Sequence, residues 1–329
     1  MATSTAMTRV LVVRPSSLGD VVYALAIAAD MRRAHPGVQI DWVAEEGFAA
    51  LPALDADVAQ VITVALRRWR GSLWRASTWR EFRAFRRAVT ATRYDAVIDL
   101  QEQLKGAIIA RIARGPRHGL AAASIREPLA TILHDAHHAV DRDIHFVAKC
   151  RAIAASAMGY AVEGPPRWHW RALPATPATP QRPYAIFVTA TSRPTKLWPE
   201  ERWRALATHL GENGLAVLLP WGTHEEEARC RRIADGIADA SVPSRLALHD
   251  AAALIAHADL VVGVDTGLTH LAAALGVATI ALFTETDAAL AGVAICGGAA
   301  RDLGGNGIVP GKDDVIDALG DLYRLAPRC

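Results

Sequence analysis

Residues 260–276, LVVGVDTGLTHLAAALG, constrain the fold more than any other stretch of the chain. An apolar run with β-branched residues, Leu260-Val261-Val262-Gly263-Val264, turns at Asp265-Thr266-Gly267 and continues with Leu268, Leu271, Ala272 and Leu275 at helical spacing. This pattern predicts a buried parallel strand, a tight turn and a helix. Such a turn leaves the first amides of the helix without intrahelical partners and aims the positive end of its dipole outward. An anion, typically a phosphate, suits that place. Asp265 or Thr266 can cap the helix, Gly267 lets a ligand approach the backbone, and His270 falls in the first turn. An ordinary strand–turn–helix unit with a capping aspartate has the same pattern, so this stretch alone leaves both readings open.

The same rhythm runs through the chain. Residues 10–13 form a short β-branched run, followed by Arg14-Pro15-Ser16-Ser17-Leu18-Gly19-Asp20 and an apolar helical pattern as far as Ala29. The loop holds one glycine, so it is neither a dinucleotide fingerprint nor a P-loop. Residues 38–43, 61–64 and 95–100 predict further strands, the last running into Gln101-Glu102-Gln103-Leu104-Lys105-Gly106, where a helix begins. Residues 163–183 hold six of the 17 prolines, and a stiff, extended segment of that kind suits a linker between domains. Beyond it the alternation restarts. Strands are predicted at 184–188, 215–219 and 278–283, and helices at 199–210, 225–234, 249–257 and 314–325. Alternating strands and helices imply parallel sheets covered on both faces. The 329 residues therefore read as two similar doubly wound α/β domains. Ligands of such sheets sit at the carboxyl ends of the strands, so facing sheets would bring both loop sets to one central cleft.

Composition narrows the function classes. Half of the residues are hydrophobic and a fifth are charged, which is a folded, globular balance. A formal net charge of +2 argues against a general nucleic-acid binder, and no nucleic-acid partner is expected. Cys150, Cys230, Cys296 and Cys329 are far apart without metal-ligand spacing, so reduced thiols in a cytoplasmic protein and no metal are expected. No apolar run is long enough to span a bilayer, no signal peptide is evident, and the residues before Met7 read as a ragged start. Only four of the 36 basic residues are lysines, Lys105, Lys149, Lys196 and Lys312, so a lysine near a candidate site warrants examination.

Three loops fall at predicted strand ends. They are Ser16-Ser17-Leu18-Gly19-Asp20, Thr189-Ala190-Thr191-Ser192-Arg193-Pro194-Thr195-Lys196, and Asp265-Thr266-Gly267-Leu268-Thr269-His270. The second offers hydroxyls and a lysine, the composition of a phosphate clamp. A surface lysine before a helix has the same sequence, as does an Asp20 that merely caps its helix. Separately, residues 67–93 carry nine arginines against one acid, Glu81, with Trp69, Trp74 and Trp79 interleaved. A solvated helix face reads this way, and so does a surface for an anionic membrane or an acidic sugar.

The segments SSLGDVVYALA, YDAVIDLQEQLKGA, KLWPEERW and VVGVDTGLTHLAAALG, in this order and spacing, resemble the lipopolysaccharide heptosyltransferase family, glycosyltransferase family 9. DWVAEEGFA, RRWR and HGLAAASIREP are similar to its heptosyltransferase I branch in particular. The resemblance covers nearly the whole chain. It implies a GT-B fold, with an N-terminal acceptor-binding Rossmann-like domain over 1–172 and a C-terminal nucleotide-sugar domain over 173–312. A closing helix over 313–329 is expected to pack back toward the first domain. The implied reaction is an inverting, metal-independent transfer of L-glycero-D-manno-heptose from ADP-L-glycero-D-manno-heptose to the first 3-deoxy-D-manno-octulosonic acid (Kdo) of Kdo-lipid A. That reaction belongs to inner-core lipopolysaccharide synthesis in Gram-negative bacteria, at the cytoplasmic face of the inner membrane, with peripheral contact to its anionic leaflet. The alternatives are a heptosyltransferase II-like enzyme or a nucleotide-sugar epimerase of the same fold.

The resemblance also implies roles for residues. Asp20 matches the catalytic base. Thr191, Ser192 and Lys196 match the loop holding the donor phosphates, and Glu225 and Leu246 fall where the family contacts nucleoside. Asp265, Thr266, Gly267 and His270 match the donor-binding motif. Arg67, Arg68 and Arg126 match basic positions associated with the acidic acceptor. No cofactor is expected. Two stretches depart from the family pattern. Gln101-Glu102 stands where Gln-Gly is usual, and Phe283-Thr284-Glu285-Thr286-Asp287-Ala288 lacks the glycine and prolines of the family's stretch.

Overall fold

The structure, a computed structural model, describes residues 9–191 and 193–325. Ser192, expected in the donor-phosphate loop, lies outside the described residues, as do Met7 and Cys329. The chain divides into two compact units, with the boundary between Arg171 and Ala172.

The first unit is built on six parallel strands: β1 (Arg9–Val13), β2 (Gln39–Glu45), β3 (Val58–Val64), β4 (Ala96–Asp99), β5 (Arg117–Leu120) and β6 (Ala136–His138). Their order in the sheet is β3-β2-β1-β4-β5-β6. Val10 pairs with Ile40 on one side and with Ala96 on the other, so β1 and β4 flank the point where the strand order reverses. Its helices are α1 (Leu18–Ala34), α2 (Ala50–Leu54), α3 (Leu66–Arg70), α4 (Ala76–Thr90), α5 (Leu104–Ile112) and α6 (Phe146–Met158). α1 is apolar almost all round because α6 covers it on the side away from the sheet. The one acid in its buried stretch, Asp30, receives a two-pronged bond from Arg151 of α6 at 2.6 and 3.0 Å, which pins the two helices together.

On the other face, Trp69 of α3, Phe85 and Val89 of α4, and Ile109 and Ala110 of α5 pack on Leu11, Val13 and Val97 of the sheet. Trp69 is thus a core residue, 7% exposed, with its indole N–H donated to Glu81 at 2.8 Å. Trp74, at 78%, stands in solvent. Of the three interleaved tryptophans only Trp74 and Trp79 contribute to a surface, because the α3 turn directs Trp69 inward.

The second unit repeats the plan with β7 (Tyr184–Val188), β8 (Ala216–Leu218), β9 (Ala240–Ser241), β10 (Leu260–Val264), β11 (Thr279–Phe283) and β12 (Ala300–Gly304). All pairs are parallel in the order β12-β11-β10-β7-β8-β9, the same winding read from the opposite edge. The order reverses between β7 and β10, which pair through Val262 and Phe187. Its helices are α7 (Glu200–Glu212), α8 (His224–Ala234), α9 (Leu248–Ala256), α10 (Gly267–Ala274), α11 (Ala288–Ala291) and α12 (Lys312–Leu325). Phe187, Trp198 and Trp203 form its aromatic centre.

The apolar stripe of α12, Val315, Leu319 and Leu322, is buried in the second unit's own core beside α7. The proline-rich segment differs from a free linker. Before the boundary, Trp168 donates to the Val22 carbonyl at 2.8 Å and His169 meets Asp57 at 2.7 Å, so its first part is stitched onto the first unit. No helix among the described residues is long and apolar enough to cross a membrane. Cys150, Cys230 and Cys296 are free thiols.

Candidate active site

In a doubly wound sheet the crevice for ligand opens beyond the carboxyl ends of the two strands at the reversal point, because their following helices leave on opposite faces. Each unit places one group of the expected residues there.

In the first unit the loops after β1 and β4 meet. Asp20 sits in the first turn of α1 and accepts from the Ser17 amide at 3.0 Å and the Ser17 hydroxyl at 2.7 Å. It therefore caps the helix. It does more as well, since Arg14 lies 2.7 Å away. All three contacts fall on Oδ2, so Oδ1 is left without a hydrogen-bond partner among the described residues. Burial opposes the Asp20 charge, but Arg14 and the two Ser17 hydrogen bonds outweigh it and hold the carboxyl below the usual carboxylate range. Arg14 is itself buried, bonded to the Leu100 carbonyl and stacked over Phe146 at 4.7 Å.

The β4 loop holds this arrangement from the side. Gln101 accepts from the Ser16 amide at 3.1 Å, and Lys105 donates to the Ser16 hydroxyl at 2.9 Å. Beneath them, Asp99 accepts from the Gln101 amide at 2.8 Å and meets His134 at 3.0 Å, with both side chains fully buried. Burial, then the neighbouring Arg14 and Arg67, depress the Lys105 ammonium below its ordinary range. Glu102, where the family pattern has glycine, adopts φ 59°, the left-handed conformation glycine favours.

The three expected acceptor residues differ in their surroundings. Arg67 is exposed, its guanidinium over the Phe48 ring at 5.2 Å. Arg126 is exposed and makes no ion pair among the described residues. Arg68 is already engaged, bonded twice to Glu46 at 3.0 and 2.9 Å and to Glu81 at 2.9 Å. A free cation is not what Arg68 offers, because two acids flank it.

In the second unit the loops after β7 and β10 meet. Lys196 lies 2.5 Å from Asp265 Oδ2, His270 lies 3.3 Å from Asp265 Oδ1, and Thr191 donates to the Asp265 carbonyl at 3.1 Å. Burial opposes the Asp265 charge, but His270 and Lys196 more than offset it, so the carboxyl is held far below the usual range. Thr266 occupies the N-cap position of α10 without a side-chain bond, and Asp265 precedes it. The turn leaves the Gly267 and Leu268 amides at the helix start without intrahelical acceptors. Gly263 is dictated by packing, because a Cβ there would lie 2.0 Å from the Thr269 hydroxyl, which bonds the Val264 carbonyl at 2.8 Å.

Glu225 lies in the first turn of α8, after β8, and Leu246 on the loop after β9, both outside the Asp265 hydrogen-bond network. Sequence reasoning missed Thr284 and Glu285 as supports. Thr284 donates to the Thr195 carbonyl at 2.8 Å, and Thr195 donates to Glu285 at 2.5 Å, so the departing stretch braces the Lys196 loop. It also missed Arg14, Gln101 and Lys105. For Lys105 the rarity of lysine was the available signal; for Gln101 nothing in its spacing reveals the bond to Ser16. Among the described residues no group of three His, Cys, Asp or Glu side chains is placed to hold a metal ion.

Comparison with known proteins gives concordant results. The family model described as glycosyltransferase family 9 (heptosyltransferase) matches residues 82–294. Lipopolysaccharide heptosyltransferase 1 of Salmonella typhimurium is 42% identical over 288 residues, covering 86% of this chain and 90% of the relative. That of Pseudomonas aeruginosa is 43% identical, covering 86% and 81%. Among solved structures, the Escherichia coli heptosyltransferase WaaC with ADP superposes with a TM-score of 0.85 at 37% identity, covering 95% of this chain and 99% of the other.

Proposed function

The chain belongs to glycosyltransferase family 9, the heptosyltransferases, and has its GT-B fold. From that premise we propose that it transfers L-glycero-D-manno-heptose from ADP-heptose to the first Kdo of Kdo-lipid A, with inversion at the anomeric carbon. The single observation that carries the chemistry is the division of labour between the two reversal points. One presents an ionised carboxylate, Asp20, with one oxygen free of hydrogen bonds among the described residues. The other presents Lys196, hydroxyls and the start of α10.

Each step then has its group. Arg67 and Arg126 attract the acidic acceptor. Asp20 Oδ1 takes the proton from its hydroxyl as that oxygen bonds the anomeric carbon, a positioned base being worth about 10²–10⁴ in rate. The bond from the anomeric carbon to the diphosphate oxygen breaks through an oxocarbenium-like state. Negative charge grows on the departing ADP, where Lys196, Thr191 and the α10 amides meet it, each well-aimed donor contributing about 3 kcal/mol. Asp265 and His270 fix Lys196 and shape the turn, and Glu225 and Leu246 border the nucleoside. No metal is assigned a role, and chelation is expected to leave the rate unchanged.

The acceptor's lipid places the reaction at the anionic cytoplasmic leaflet. Exposed Trp74 and Trp79, with Arg80, Arg83, Arg86 and Arg87, support peripheral contact there, since none of these arginines makes an ion pair among the described residues. The test is a panel of ADP-, UDP- and GDP-sugars with Kdo-lipid A. ADP-heptose should be consumed only when the acceptor is present, and Asp20→Asn should lower kcat at least a hundredfold. Conversion of a nucleotide sugar without acceptor would overturn the reading in favour of an epimerase. Wild-type rates from Asp20→Asn would remove Asp20 as the base.

A further inference from the structure

Eleven large hydrophobic side chains stand exposed among the described residues, and seven of them lie on one layer, the α3–α4–α5 side of the first unit. Three are the Leu73, Trp74 and Trp79 cluster near the arginines. The other four were not singled out by the sequence. Leu104 and Ile108 are one turn apart on α5, and Leu129 and Ile132 are three residues apart on the 3-10 turn Pro128–Leu133, which packs against α5. Their exposures are 40, 49, 70 and 78%. A monomer leaves single hydrophobics in water without consequence, but a contiguous aliphatic set marks a contact.

Two features identify what covers it. Two free cations adjoin it: Arg111 follows Ile108 by three residues on α5 and Arg126 precedes Leu129 by three, and both are exposed and make no ion pairs among the described residues. The patch also adjoins the acceptor end of the unit. Leu104 precedes Lys105, whose ammonium holds the hydroxyl of Ser16, two residues before Leu18 opens the helix that carries Asp20, and the Leu104 amide donates to Glu127 at 2.8 Å. Aliphatic side chains beside exposed cations complement an anionic lipid surface. We propose that the Leu104–Ile108–Leu129–Ile132 patch seats in the anionic bilayer that carries the acceptor, a second anchor beside the reacting sugar. This deepens the reading above and rests on its lipid-borne acceptor. The arginines of α4 supply the long-range attraction, and the aliphatic patch supplies insertion next to the acceptor loop.

The two contributions separate by salt, since screening weakens the ionic one and not the apolar one. The experiment measures binding of the full chain to phosphatidylethanolamine vesicles containing phosphatidylglycerol, at low and high salt. The triple variant Ile108→Gln, Leu129→Gln, Ile132→Gln changes only exposed side chains, and its melting temperature should match wild type. It is expected to bind about tenfold more weakly at high salt. A variant with Arg80, Arg83, Arg86 and Arg87 changed to Gln should lose binding mainly at low salt. Val162→Gln, an exposed hydrophobic outside the layer, should bind as wild type. In turnover, the triple variant should raise the KM for Kdo-lipid A about tenfold and leave kcat/KM for a deacylated Kdo acceptor unchanged.

Vesicle binding by the triple variant within twofold of wild type at high salt overturns the proposal. So does an equal loss from Val162→Gln. A wild-type dimer that the triple variant converts to monomer, with vesicle binding intact, makes a second copy of the chain the occupant and also overturns it. If wild type turns over neither acceptor, the heptosyl-transfer reading fails while the vesicle measurements still decide the surface.

Discussion

Asp20 is both cap and candidate base, and the two roles pull its chemistry in different directions. Capping and Arg14 keep it ionised, which readies it to accept a proton, but they also make it a weak base. The arrangement favours position over basicity, and transfer of the proton is then expected late, when the acceptor oxygen has become acidic by bonding to carbon. Removing Arg14 tests this. Arg14→Met should raise the Asp20 pKa, because the largest favourable charge on it is gone. The acid limb of the kcat/KM–pH profile should therefore move to higher pH, with lower kcat from the loosened loop. An unmoved limb would mean that a group other than Asp20 sets it. Asp265 is the counterpart in the second unit. It stays ionised throughout the physiological range and serves Lys196 as a fixed partner, not as a proton acceptor.

At the scale of elements, the loop after β4 is held in shape by close packing under it. A Cβ at Gly106 would lie 2.4 Å from the Gln101 Cβ and 2.5 Å from Asp99 Oδ1. Only glycine lets the first turn of α5 approach the side chains that hold Ser16. Gly106→Ala should cost about 1–3 kcal/mol by overpacking. It should also lower kcat by displacing Gln101, with the KM for donor unchanged because the donor groups belong to the other unit. A calorimetric melt and steady-state kinetics check the two parts, and wild-type kcat with reduced stability would confine Gly106 to packing. Two of the strands that the pattern missed share a reason. β5, Arg117–Leu120, and β6, Ala136–His138, are short and rich in arginine and histidine, because outer strands need less apolar surface than the central ones. Their histidines find partners only in three dimensions: His118 meets His138 at 3.0 Å, and His138 meets Ser156 at 2.7 Å.

At the scale of the molecule, one buried acid makes the stability of the first unit depend on pH. Asp55 is fully buried; its Oδ1 accepts from the Asp57 amide at 2.8 Å, and its Oδ2 has no hydrogen-bond partner among the described residues. Burial pushes its pKa up from 3.8 to about 7. Between those two values the folded state keeps a proton that the unfolded state has released, so stability falls as pH rises through this window and then levels off. Asp55→Asn abolishes that slope. Its stability relative to wild type should grow between pH 4 and 7 and be constant above, as read by denaturant melts at a series of pH values. A constant difference across the window would show that Asp55 does not titrate there.

Much of this architecture is legible in the residues alone. Apolar β-branched runs at 10–13 and 260–264, each followed by a polar turn and a helical pattern, determine parallel strands and place Asp20 and Asp265 at strand ends, because side-chain periodicity is a local property. The proline cluster likewise marks where one unit gives way to the other. Family motifs then assign candidate roles to positions. What tertiary structure decided is which groups share a charge. It paired Lys196 with Asp265, engaged Arg68 with two acids, buried Trp69 while leaving Trp74 in water, and set Lys105 and Gln101 on Ser16. It also kept the apolar stripe of α12 within the second unit. These outcomes depend on residues tens of positions apart arriving at the same strand ends. Short-range periodicity carries no record of that meeting; the order of strands in the sheet creates it.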